Sequence, residues 1–125
     1  MPMKPKILIV DDNRDVCIAV AEMLSPTAQV YRAYNGADAL GVLESNPVDL
    51  AIVDLLFAGR VSSELVVEHA RIRKCPVITM SGTLASDRHG RDLATPHLIK
   101  PFRAEQLVNL VGTTLARRGR QAAVL

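Results

Sequence analysis

Lys6-Ile-Leu-Ile-Val10-Asp11-Asp12 decides the fold. A short β-branched run that stops abruptly at two acids is the signature of a buried strand. The pattern returns at Leu50-Ala-Ile-Val53, again closed by an acid, Asp54. It returns once more at Val77-Ile-Thr-Met80, introduced by Pro76 and closed by Ser81-Gly82. Two further strands are expected at Gln29-Val-Tyr-Arg-Ala33 and, briefly, at His97-Leu-Ile99 before Lys100-Pro101.

Between these runs the apolar period changes to that of a helix. Val16, Ala19, Val20 and Met23/Leu24 recur at helical spacing, with Asn13 or Asp15 as the cap and Ser25-Pro26 as the stop. After the Asn35-Gly36 turn, Ala37, Leu40 and Leu43 supply the apolar face of a second helix, which Asn46-Pro47 ends. A loop containing Gly59 leads to a third helix bearing Leu65, Val66, His69 and Ile72. The stretch from Leu84 to Leu93 is polar and poorly periodic, and is expected to be a reduced or irregular fourth helical segment. Leu107, Leu110, Val111 and Leu115 mark a last amphipathic helix.

Apolar strands alternating with amphipathic helices imply a parallel sheet covered on both faces. With right-handed crossovers, the expected fold is a doubly wound five-stranded α/β sandwich; of the orders such sheets adopt, the flavodoxin-like 2-1-3-4-5 is the one expected. The 125 residues are expected to form one domain, with a core over about residues 5–118 and residues 119–125 as a tail or the start of a linker.

Composition excludes several classes. Aromatics are 3% of residues and Trp is absent, so the core must be aliphatic. A formal charge of +2 is too small to argue for direct nucleic-acid binding or an anionic membrane. The Arg117, Arg118 and Arg120 cluster is better explained as a solvated helix end or linker. Cys17 and Cys75 make neither a disulfide framework nor a metal pair and are expected to be structural thiols. No apolar run approaches the roughly 20 residues needed to span a bilayer. Met1-Pro-Met-Lys-Pro-Lys6 has no adequate signal-peptide core, so a cytoplasmic location is expected.

In open α/β sheets ligands bind beyond the carboxyl ends of the strands. Here those ends carry Asp11 and Asp12, then Asp54, then Ser81, then Lys100, all aimed at one rim. Each pair of carboxylates about 4 Å apart costs on the order of 4 kcal/mol at an effective dielectric near 20, so such a cluster is kept for a cation or for proton chemistry. Oxygen ligands suit Mg2+, and the lack of His or thiolate at these strand ends argues against zinc. Lys100 and the Ser81 hydroxyl add the counter-charge and donor that a phosphoryl group requires. Aspartate can itself act as the nucleophile and form an acyl phosphate.

Val10-Asp11-Asp12, Asp54, Ser81-Gly82 and Lys100-Pro101-Phe102, in that order and on those elements, resemble the response-regulator receiver pattern over residues 5 to about 118. The resemblance implies that Asp54 accepts a phosphoryl group from the phosphohistidine of a sensor histidine kinase or phosphotransfer protein. It implies that Asp12 ligates Mg2+ directly, Asp11 acts mainly through water, and the Leu56 backbone carbonyl is a further ligand. Ser81, with Gly82 beside it, would hydrogen-bond one phosphoryl oxygen and Lys100 would pair with another. Pro101 would be cis and would shape the Lys100 loop. Such a module is not an enzyme in its own right, although it assists its own phosphorylation and dephosphorylation. Its output would go to a downstream protein or a C-terminal effector domain. The output face would be built from the fourth helical segment, the fifth strand and the last helix, which could also support a homodimer.

Three positions depart from the pattern. Ala58 and Ser62 stand where the family usually has Pro and Gly, and His97 stands where it usually has the switching aromatic. His97 is equally well read as a half-buried core histidine. His69 and His89 are a helix-face and a loop residue rather than ligands. Each acid alone would be a loop or helix cap; the three together with Lys100 reverse that preference. Other readings are a receiver-like interaction scaffold working without phosphorylation and a haloacid-dehalogenase-like phosphatase. The phosphatase would need a second Asp where Leu56 stands. A flavodoxin-type FMN binder is disfavoured because Asp11-Asp12 would repel the phosphate.

Overall fold

The computed structural model describes residues 3–55, 57, 59–82 and 95–124, the last five of these as backbone only. The Leu56 carbonyl, Ala58, His89 and the expected fourth helical segment lie outside the described residues. The described chain runs β1 (Lys6–Val10), α1 (Arg14–Leu24), β2 (Gln29–Ala33), α2 (Gly36–Ser45), β3 (Leu50–Asp54), α3 (Ser63–Ile72), β4 (Val77–Ser81), β5 (His97–Ile99) and, as its last helix, α4 (Ala104–Val124). All strand pairs are parallel, in the order β2-β1-β3-β4-β5. The doubly wound architecture and strand order expected from the sequence are those observed.

Side chains alternate across a strand, so each strand feeds two cores. On one face Ile7, Ile9, Leu50, Ile52, Ile78 and Met80 pack with Cys17, Val20 and Leu24 of α1 and with Leu107 and Val111 of α4. On the other, Leu8, Val10, Ala51, Val53 and Val77 pack with Ala39 and Leu43 of α2 and Val66, Val67 and Ala70 of α3. Each fully buried Ile, Leu or Val stabilises the fold by roughly 1.5–3 kcal/mol.

The helix faces differ in two places from the sequence reading. Ala37 is exposed and Ala39 takes its place in the core. Leu65 and Ile72, seven residues apart and so on one helical face, are 53% and 73% exposed, because α3 turns Val66 and Ala70 inward instead. Caps fix where each helix leaves the rim. Asn13 rather than Asp15 caps α1, its side chain accepting from the Asp15 and Val16 N–H groups. Asn35 caps α2, and Ser62 caps α3 by accepting from Leu65 N–H at 3.3 Å. Gly36 is required by packing: a Cβ there would overlap the Val61 carbonyl, on the loop that follows Asp54.

Candidate functional site

β1 and β3 are neighbours in the sheet, so their carboxyl ends deliver Asp11, Asp12 and Asp54 to one point. One carboxylate oxygen from each lies within 4.8 Å of the others. Their environments differ sharply. Asp11 and Asp54 are buried, at 1% and 4% exposure, whereas Asp12 is exposed. Asp11 is held at both oxygens: Asn13 N–H donates to Oδ1 at 2.9 Å and Lys100 Nζ to Oδ2 at 2.7 Å. Lys100 Nζ also lies 3.3 Å from Asp54 Oδ1. Among the described residues Asp12 has no such partner, and its carboxylate is exposed.

Electrostatics follow from that geometry. Burial and the charge of Asp11 push the Asp54 carboxyl above the usual carboxylate range of 3.8; Lys100 opposes this in part, and Asp12 adds to it. Burial works against the Lys100 ammonium, but its bond to Asp11 and the charge of Asp54 outweigh that and raise it above its ordinary 10.5. Lys100 is therefore a fixed cation between two buried acids.

Ser81 and His97 are brought together in a way the sequence does not show. Thr79 pairs with His97 across β4 and β5. The imidazole bridges two hydroxyls, with Nδ1 2.7 Å from Thr79 Oγ1 and Nε2 2.8 Å from Ser81 Oγ. Thr79 Oγ1 also lies 2.8 Å from Thr95 Oγ1. His97 is thus a half-buried, hydrogen-bonded residue against the hydroxyl expected to meet a phosphoryl oxygen. A lone hydroxyl, Thr79, inside an otherwise aliphatic run was the one available signal for this contact. Gly82 is exposed, and no atom of the described residues would meet a Cβ there. The Lys100–Pro101 peptide is cis, as the resemblance implied. Buried Ser63 donates to the Leu55 carbonyl at 3.1 Å and ties the start of α3 to the end of β3. His69 lies on the α3 face, 3.6 Å from Glu44.

Asp49 went unremarked in the sequence. Its Oδ2 accepts from Lys6 N–H at 2.8 Å and its Oδ1 from Arg118 Nη1 at 2.8 Å. It clamps the starts of β1 and β3 to the far half of α4, at the end of the sheet opposite the acid cluster.

Comparison with known proteins gives the family and the fold. Residues 7–112 match the family model described as response regulator receiver domain. The chain is 33% identical over 110 residues to the sensor histidine kinase TmoS of Ectopseudomonas mendocina, covering 83% of this chain and 11% of that protein. It is 29% identical over 119 residues to the transcriptional regulatory protein CiaR of Streptococcus pneumoniae, covering 92% of this chain and 53% of that one. The chain thus spans about a tenth and about half of these two relatives. In fold it is similar to the signal receiver domain of a LuxO repressor protein from Vibrio parahaemolyticus, with a TM-score of 0.84 at 22% identity, covering 98% of both chains. A CheY-like receiver domain protein from Methanospirillum hungatei also gives 0.84, at 19% identity, covering 95% of this chain and 99% of the other. Among the described residues no helix is long and apolar enough to cross a membrane. The chain belongs to the response regulator receiver domain family, the receiver module of two-component signalling.

Proposed function

We propose that this receiver is active as a phosphoacceptor, with Asp54 taking a phosphoryl group from the phosphohistidine of a histidine kinase or phosphotransfer protein. The observation that carries this is Lys100, whose ammonium touches both Asp11 and Asp54 at the centre of the carboxylate cluster. An Asp54 oxygen attacks phosphorus, the P–N bond breaks with its electron pair going to nitrogen, and the imidazole, already protonated at its other ring nitrogen, leaves neutral. Lys100 balances charge on the transferred group, and Ser81 donates to one of its oxygens when its hydroxyl hydrogen is not given to His97.

The donor set fits Mg2+: three carboxylates at one point, one of them exposed and uncommitted. Asp12 and Asp54 would ligate directly, Asp11 through water because Lys100 already holds it, and the Leu56 carbonyl would complete the protein's share. Bound Mg2+ supplies neutralisation of the carboxylates and of the incoming phosphoryl oxygens. The reading carries with it a cytoplasmic setting and a response passed to a partner or effector through the β5–α4 side, where Ile99 and Val108 are exposed apolar residues.

Mass spectrometry after incubation with Mg2+ and acetyl phosphate tests this. One phosphoryl group is expected on the parent and none on Asp54→Asn or in EDTA. Labelling that survives both changes removes Asp54 from the role, and a parent that never labels returns the chain to the scaffold reading.

A further inference from the structure

At the other end of the sheet, the starts of β4 and β5, the end of α3 and the far half of α4 enclose a cavity of about 460 Å³. Arg71 and Lys74 at the end of α3 and Arg117 and Arg118 of α4 line it, and among the described residues no acid does. Two segments far apart in sequence supply this charge, so the cluster exists only in the fold. Arg118 is committed to Asp49. Arg71, Lys74 and Arg117 are exposed and have no acidic partner among the described residues.

Lys74 is a second, independent observation. Its φ of 58° is the one positive value outside glycine among the described residues. Its N–H donates to the Arg71 carbonyl and Cys75 N–H to the Ala70 carbonyl, both at 2.9 Å. These paired bonds close a helix whose left-handed position is ordinarily glycine. A side chain there is disfavoured by contact of its Cβ with the backbone. A lysine at such a position, on the edge of a cationic cavity, points to a use for its ammonium.

The lining defines the ligand's chemistry. The floor is buried and mostly apolar, with Cys75, Val77 and Thr114, the thiol pushed up to about 11 by burial and so neutral. Thr114 spends its hydroxyl hydrogen on the Leu110 carbonyl at 2.7 Å. Among the described residues no aromatic side chain lines the cavity to stack a nucleobase. Guanidinium forks bind phosphate oxygens in pairs and an ammonium binds them as a point charge. The volume is within the roughly 300–1,000 Å³ of small-molecule sites. We propose that this cavity binds a small phosphate-bearing molecule of more than one negative charge, at a site separate from Asp54.

The test is an amide NMR titration of the full chain with inorganic pyrophosphate. EDTA keeps metal from the acid cluster, and sodium chloride at matched ionic strength is the control. Saturable shifts are expected at residues 71–77, 95–96 and 113–119. Arg117→Ala and Lys74→Gly should each weaken binding about fivefold, as loss of one charged contact does. Lys74→Gly relieves the left-handed backbone and should melt no lower than the parent, so weaker binding there is not a folding defect. Shifts that are absent, not saturable, centred on Asp54 and Lys100, or unchanged in both variants overturn the proposal. So does a short DNA duplex that shifts these residues when pyrophosphate does not.

Discussion

Ser81 Oγ and His97 Nε2 lie 2.8 Å apart, and the opposite ring nitrogen of His97 is 2.7 Å from Thr79 Oγ1. A neutral imidazole donates from one nitrogen and accepts at the other, so the tautomer decides where the Ser81 hydrogen points. When Nε2 accepts, that hydrogen is spent on His97. When Nε2 donates, or the ring is protonated, it goes to an acceptor other than His97.

The His97→Phe variant is therefore expected to bind a phosphoryl mimic differently from the parent. Phenylalanine has no ring nitrogen to draw the Ser81 hydroxyl hydrogen, so beryllofluoride should bind a few-fold more tightly to the variant. Chemical shifts over residues 81–82 and 95–110 report it. Affinity and shift changes unaltered by the substitution rule His97 out as a switch.

Asp12→Ala and Asp11→Ala are expected to fail differently. Asp12 is exposed and uncommitted, so its loss should weaken Mg2+ binding by about tenfold or more, at least the effect of losing a supporting residue, and leave folding intact. Asp11 holds Lys100 and the Asn13 N–H, so Asp11→Ala should cost about 1–3 kcal/mol of stability by stranding both. A Mg2+ titration and a urea melt of each variant separate the effects. Equal losses in both measurements contradict the distinction.

Metal-free Asp54→Asn is expected to be more heat-stable than the parent at neutral pH. The folded state raises the Asp54 carboxyl above 3.8, through burial first and Asp11 next, with Lys100 opposing. Ionising it therefore disfavours the fold: the penalty is absent below 3.8 and complete above the raised folded value. The advantage of Asp54→Asn should shrink as pH falls through that window. Mg2+ at ten times its Kd should stabilise the parent by about 1.4 kcal/mol and narrow the gap. Scanning calorimetry at several pH values, with and without Mg2+, measures both.

Asp49→Ala is expected to destabilise the fold by about 1 kcal/mol at neutral pH, the pair with Arg118 being partly exposed and screened. Burial works upward on the Asp49 carboxyl, but the Lys6 N–H and Arg118 outweigh it and hold it below 3.8. A depressed acid stabilises above its unfolded value and loses that contribution as pH falls through its folded one. The difference between parent and variant in urea melts should accordingly close in acid. A difference that persists at pH 2 assigns the clamp to packing instead.

Strand and helix periods are local properties, so the chain declares them residue by residue. Ile7, Ile9 and Ile52 announce strands, and Asn13, Asn35 and Ser25-Pro26 bound helices, wherever the chain goes afterwards. Because parallel strands all end on one rim, the gathering of Asp11, Asp12, Asp54, Ser81 and Lys100 was equally legible. Which face α3 buries was less so, because Leu65 and Val66 are equally apolar and only packing against the sheet chooses between them. Partnerships across the fold were not legible at all. Lys100 on Asp11 spans 89 residues, and Asp49 on Arg118 spans 69. His97 meets Ser81 through the β4–β5 register, and Arg117 shares a cavity with Lys74 through where α4 lies. A hydrogen bond fixes two atoms to within a fraction of an ångström, and register, helix placement and rotamer, which sequence period does not encode, set those distances.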